Sequence, residues 1–141
     1  MIQCEFILYV ANQQRSRDFY ATVLQKDPDL DVPGMTEFIL IEGLKLGLMP
    51  EMGIAKILQD KTPHPKDGNG IPRCELYLMV DDVEAAFARA LQAGAKEISE
   101  IQDRDWGDSV GYVADLDGHI LAFAKTPAVL NVFTKHRQEG N

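Results

Sequence analysis

The chain has 141 residues, 45% of them hydrophobic and 26% charged, with a formal net charge of −8. That length suits a single domain spanning 1–141 with a real core, and the acidic balance excludes a nucleic-acid binder, since the lone basic cluster Lys135-His136-Arg137 is too small to form a basic face. No apolar run approaches the roughly 18 to 20 residues of a membrane span, so no membrane partner is expected.

The N-terminus, MIQCEFILYV, carries no basic n-region and no small-residue cleavage site, so a cytoplasmic location is the expectation. Residues 4–10 alternate as a first strand. Asn12 can cap a helix through about Leu24, with Ser16, Phe19, Tyr20, Val23 and Leu24 on one stripe. The stretch DPDLDVPG is a loop or a short edge strand. TEFILI and LKLGLM follow as two strands around Glu42-Gly43, a pair suited to a tight hairpin. The Pro- and Gly-rich segment 60–72 is a linker.

A second strand of the first kind occupies 74–80. Asp81-Asp82 with Glu84 marks a helix start, Val83, Ala86, Phe87, Ala90 and Leu91 form its stripe, and Gly94 stands at its end. KEISEI at 96–101 is an edge strand. SVGYVAD and HILAFAK form a hairpin around Asp117-Gly118, with Asp115 and Asp117 serving the turn. Residues 127–141 are a tail.

The two halves repeat each other. Glu5 and Glu75, Cys4 and Cys74, and Val10 and Val80 all stand 70 positions apart. Aligning the hairpin glycines Gly43 and Gly118 pairs Leu46 with Leu121 and Gly47 with Ala122. Halves of this size are too small to stand alone and should share a core through a continuous sheet. Module 1 spans about 2–59 and module 2 about 73–126. No CxxC spacing exists, so Cys4 and Cys74 are expected as buried thiols on strands rather than zinc ligands.

A duplicated β-α-β-β-β unit, with FILYVANQQRSRDFYATVL in one half and LYLMVDDVEAAFARALQAGA then WGDSVGYVADLDGHILAFAK in the other, resembles the vicinal oxygen chelate superfamily of glyoxalase I, extradiol dioxygenases and bleomycin-resistance proteins. Trp106-Gly107 and Asp115-Leu116-Asp117-Gly118 match its WG and DPDG-like elements. The resemblance implies an α+β fold, two βαβββ modules forming an open, curled mixed sheet around a cavity, and a homodimer.

In metal-using members, four strand positions converge on a divalent ion. Carried over, these are Glu5, Gly47, Glu75 and Ala122, two carboxylates and two residues with no ligating atom, whereas transition-ion sites take three or four donors. His64, His119 and His136 fall in the linker, a turn and the tail. No cofactor is therefore expected, with Glu5 and Glu75 as the weak candidates should a divalent ion bind.

Strand alternation gathers Glu5, Ile7 and Tyr9 with Lys45, Gly47 and Met49 on one face, and Glu75, Tyr77 and Met79 with Ile120, Ala122 and Ala124 on its twin. Phe6, Leu8, Leu76, Leu78, Leu121 and Phe123 face the helices. The expected ligand-binding residues are Glu5, Tyr9, Glu75, Tyr77, Met79, Trp106 and Ala122, with Lys45 as internal partner of the acids. The leading expectation is metal-free binding of a small cationic or aromatic molecule. The alternatives are a metal-dependent glyoxalase I-like lyase or isomerase and a non-catalytic structural homologue, and a general base, if one acts, is Glu5 or Glu75.

Overall fold

A computed structural model describes residues 2–126 and divides the chain into two compact units, Met1–Ile71 with Leu116–His119, and Pro72–Asp115 with Ile120 onward. The tail expected at 127–141 lies outside the described residues.

In unit 1, β1 (Cys4–Val10) leads into α1 (Gln13–Leu24). Asn12 is extended, and its side chain accepts the Arg15 amide at 3.0 Å, satisfying a first-turn donor that has no acceptor within the helix. Ser16, Phe19, Tyr20 and Val23, four of the five expected stripe residues, are buried, and Leu24 is half-buried. β2 (Leu30–Val32), β3 (Met35–Ile41) and β4 (Leu44–Pro50) complete a sheet of order β1-β4-β3-β2. β4 lies parallel to β1 and antiparallel to β3. Phe38, Leu46 and Leu48 form its buried face, none more than 1% exposed.

The DPDLDVPG stretch contains the edge strand β2. Its Asp31 takes an ion pair from Arg17 at 2.9 Å and the Thr36 hydroxyl at 2.9 Å, which together hold the carboxyl below its ordinary value. Directly after β4 comes α2 (Glu51–Leu58), to which the sequence analysis assigns no element, followed by 3-10 turns at Gln59–Lys61, across the start of the expected linker, and at Pro65–Gly68 within it.

The turn Leu116–His119 belongs to unit 1. Asp117 does more there than shape a hairpin, because one carboxylate oxygen accepts the Ala11 amide at 2.9 Å and the other the Ser16 hydroxyl at 3.3 Å. Gly118 has φ +92°, and a Cβ on it would sit 2.7 Å from Gly70 Cα, so only glycine fits.

Unit 2 repeats the order with β5 (Glu75–Met79), α3 (Val83–Gln92), β6 (Lys96–Asp103), β7 (Ser109–Ala114) and β8 (Ile120–Lys125), arranged β5-β8-β7-β6. Asp82 caps α3 by accepting the Ala85 amide at 3.0 Å, and Gly94 follows the helix at φ +111°. Leu121 and Phe123 are buried as expected. Gly111 leaves the space that Phe87 fills, since a Cβ there would lie 2.7 Å from its ring.

The repeat is as the sequence suggests, but the strands form two four-stranded sheets rather than one continuous sheet. Each first strand is therefore an edge strand. Cys4, on the edge strand β1, and Cys74, just before β5, are exposed free thiols, not buried ones on strands. Phe6 is 58% exposed instead of lying under a helix, because α1 packs on β3 and β4, inward of the β1 edge. Among the described residues no helix is long and apolar enough to cross a membrane.

Candidate functional site

The face of the unit 1 sheet turned away from α1 carries Glu5, Ile7 and Tyr9 of β1, Lys45, Gly47 and Met49 of β4, and Glu37 and Ile39 of β3. Register places Glu5 beside Lys45, Ile7 beside Gly47, and Glu37 across from Gly47. The face is open: Ile7, Tyr9 and Ile39 are 38%, 37% and 42% exposed. A cavity of about 510 Å³ lies at its Glu5 end, lined by Gln3, Glu5, Ile39, Glu42 and Lys45 among others.

Gly47 decides where the Glu5 carboxyl goes. With no side chain at that position, Glu5 lays its Oε2 over the strand, where a Cβ would collide with it. Oε2 is buried there without a hydrogen-bond partner. The Glu37 carboxyl stands close by, bridged to Lys45 Nζ at 3.3 Å.

Two carboxylates and one ammonium leave an excess negative charge in a partly dry place. Desolvation is the main cause that raises the Glu5 pKa above its ordinary value. The hydrogen bond that its protonated form makes to Glu37, and then the charge of Glu37, raise it further, while Lys45 draws it back in part. The arrangement can therefore hold a proton between two carboxyls or receive a donor or cation on the orphaned oxygen.

Unit 2 carries different chemistry at the corresponding positions. Glu75 is exposed at the start of β5 and Met79 is 56% exposed near its end. Tyr77 lies across from Ala122, which in turn lies across from Tyr112. Ala122 is fully buried with both tyrosines against it, so the hollow expected at this position is filled, and Ala122 offers no surface to a ligand. Tyr77 Oη donates to Asp108 at 2.6 Å and accepts Trp106 Nε1 at 2.9 Å. Burial foremost, then the bond to Asp108, pushes the Tyr77 hydroxyl up to about 12.

The four positions carried over from metal-using relatives do not fit an ion. Within unit 1, Glu5 faces a glycine and its neighbour Glu37 already holds a lysine ammonium. Within unit 2, Glu75 is exposed and its companion position is a buried alanine. Transition ions require imidazole or several oxygen donors converging on one point. His64 accepts the Lys66 amide at 3.2 Å in a 3-10 turn, His119 sits in the 116–119 turn beside the Asp117 carboxylate, which already accepts the Ala11 amide and the Ser16 hydroxyl, and His136 lies outside the described residues.

Of the expected residues, Glu5 and Tyr9 share the unit 1 face with Lys45, and Tyr77, Trp106 and Ala122 come together in unit 2. The sequence reading missed Glu37 and Asp108. Simple pairing back from the Glu42-Gly43 hairpin sets Phe38 across from Gly47, and the register shift between Ile39 and Ile41 brings Glu37 there instead, so the hairpin was a signal one residue off. Asp108 had no such signal, because its role depends on the three-dimensional path of the β6–β7 hairpin.

The profile of the glyoxalase-like domain family matches residues 3–126. An uncharacterized protein of Mycobacterium bovis is 31% identical over 115 residues, covering 79% of this chain and 75% of the relative. A glyoxalase-related enzyme from Fulvimarina pelagi has a similar fold, with a TM-score of 0.74 at 20% identity, over 88% of this chain and 87% of that one. A glyoxalase/bleomycin resistance protein/dioxygenase family enzyme from Burkholderia phytofirmans superposes with a TM-score of 0.70 at 14% identity, over 86% and 96% of the two chains.

Proposed function

The chain belongs to the glyoxalase-like domain family, and from that premise we propose that it binds a small cationic, hydrogen-bond-donating molecule on the Glu5–Glu37–Lys45 face of unit 1 without a metal ion. The observation that carries this reading is Glu5 Oε2, buried with no partner beside a second carboxylate. A buried acceptor left unmatched costs roughly 1 to 3 kcal/mol, a penalty that an ammonium or amidinium group entering the cavity relieves. Glu42 on the cavity wall adds to the negative excess, and Lys45 offsets only one charge. Ile39 and Leu44 supply apolar wall for the rest of such a ligand.

The test is a thermal-shift screen of alkylammonium, amidinium and aromatic cations on the wild-type protein, followed by calorimetry on the best compound. Glu5→Gln should weaken that compound by about tenfold or more. Elemental analysis of protein purified without chelators completes the test. A transition ion retained at one per chain, whose removal abolishes binding, would replace this reading with the metal-dependent lyase or isomerase.

A further inference from the structure

The chain's one Asn-Gly pair is Asn69-Gly70, in the connection between the modules and away from the carboxyl face of unit 1. Asn69 ends the 3-10 turn Pro65–Gly68 in the left-handed region, at φ +51° and ψ +38°, and Gly70 continues at φ +70°. Both residues are exposed. One backbone bond spans the pair, from the Ile71 amide to Gly68 O at 3.0 Å, and the Gly70 amide has no backbone acceptor among the described residues. The Asn69 carboxamide likewise makes no hydrogen bond among the described residues. Asn12 is the contrast. Its Oδ1 accepts the Arg15 amide at 3.0 Å, and the residue after it, Gln13, begins α1. A carboxamide fastened as a helix cap is held away from the next amide, whereas Asn69 is free to turn toward Gly70, which puts no Cβ in the way.

The neighbours of Gly70 give such a turn a consequence. Its Cα stands so near Gly118 that a Cβ there would meet it at 2.7 Å. Gly118 follows Asp117, whose carboxylate holds the Ala11 amide at 2.9 Å and the Ser16 hydroxyl at 3.3 Å. All of these residues belong to unit 1. A change in backbone length at position 69 is thus passed on through a backbone contact that has no slack.

We propose that Asn69-Gly70 is a site of spontaneous covalent modification, a turn that forms isoaspartate and thereby unseats Gly70 from Gly118 and loosens the hold of Asp117 on β1 and α1. The Gly70 nitrogen loses its proton to hydroxide and attacks Asn69 Cγ. A C–N bond forms, the Cγ–Nδ2 bond breaks, and ammonia leaves with a proton from water. The five-membered succinimide then takes up one water. Opening between Cγ and the Gly70 nitrogen gives aspartate on an unchanged backbone. Opening at the main-chain carbonyl gives isoaspartate, with an extra methylene in the main chain. The sum is one water consumed and one ammonia released, with nothing oxidised or reduced.

The full-length protein is held at pH 8 and digested with trypsin under mildly acidic conditions. Mass spectrometry then follows peptide 67–73, in which Asn69 is the single amide side chain, and fragmentation locates isoaspartate at 69. Conversion should run within about tenfold of its rate in the free peptide, as in a segment that opens at little cost. Asn69→Gly, which keeps the left-handed backbone, should show none. In converted protein separated by ion exchange, the Ala11 amide of the isoaspartyl fraction should exchange hydrogen about tenfold faster than in wild type. Asn69→Asp, which adds the charge without the methylene, should stay within about twofold. Conversion slower than the stated bound, unchanged Ala11 exchange in the isoaspartyl fraction, or the same acceleration in Asn69→Asp would each overturn the proposal.

Discussion

Replacing Glu5 by Gln keeps the length of the side chain and removes its charge from a place where Oε2 is buried without a partner and Glu37 stands beside it. Two effects favour the variant. The unmatched buried oxygen costs roughly 1 to 3 kcal/mol, and repulsion from Glu37 adds to it. Lys45 offsets part of both. The Gln amide can also donate to Glu37, which an ionised Glu5 cannot. Glu5→Gln should therefore be more stable than wild type by about 1 to 3 kcal/mol at pH 8.

The pH dependence follows from the direction of the shift. Glu5 holds its proton more tightly in the folded chain than in the unfolded chain, where the ordinary value is 4.5. The folded wild type thus binds more protons. The associated stability is full below pH 4.5 and is lost as the pH rises through the raised folded value. The gap between the variant and wild type should accordingly be small near pH 4 and widen toward pH 8. Urea unfolding at fixed ionic strength across that range measures it, with an unchanged m-value confirming that only the native state was altered. A gap that stays constant with pH, or a variant less stable than wild type at pH 8, would refute the reasoning.

Gly47→Ala places a Cβ against Glu5 Oε2 and 3.1 Å from Ile7 Cγ1. Because the carboxyl is the free end of a flexible side chain, it should swing out, leaving stability within about 1 kcal/mol of wild type while carbon-13 carboxyl titration shows Glu5 returning toward 4.5. A loss above about 3 kcal/mol would mean the sheet has no slack there. Leu48→Ala, at a fully buried position in β4, should cost about 2 to 5 kcal/mol in denaturant unfolding. Asp117→Ala removes the acceptor of both the Ala11 amide and the Ser16 hydroxyl and should cost about 1 to 3 kcal/mol, with Asp117→Asn recovering part of it. In an alkaline titration followed by tyrosine carbon-13 shifts, the Tyr77 transition should lie at about 12, its signal identified by its absence in Tyr77→Phe.

The duplicated β-α-β-β-β order was legible because caps and stripes are local: Asn12, Asp82 and the Phe19–Val23 and Val83–Ala90 positions each declare themselves within one turn of helix. What lies at a sheet's edge is not local. Alternation assigns Phe6 and Leu46 to the same face, but strand order puts one at the margin and the other at the centre, and only the second is covered. The same blindness hid the exposure of Cys4 and Cys74. Helix α2 escaped because EMGIAKIL is short, contains Gly53 and follows a strand without a break, so its period cannot be told from a strand's. In the candidate site, Glu5 stood out as an acid on an apolar strand, and Gly47 as an empty position in the repeat. That the second permits the first to fold over it required coordinates.

The bonds made by Asp117 join residues 106 and 101 positions apart in the sequence. During synthesis the amide of Ala11 and the hydroxyl of Ser16 leave the ribosome long before their acceptor is made, so the junction between the first strand and the first helix must wait, hydrated, for most of the chain. Closing so long a loop is slow relative to forming its helices, and the final maturation of the amino-terminal half should therefore be among the last steps of folding, not the first.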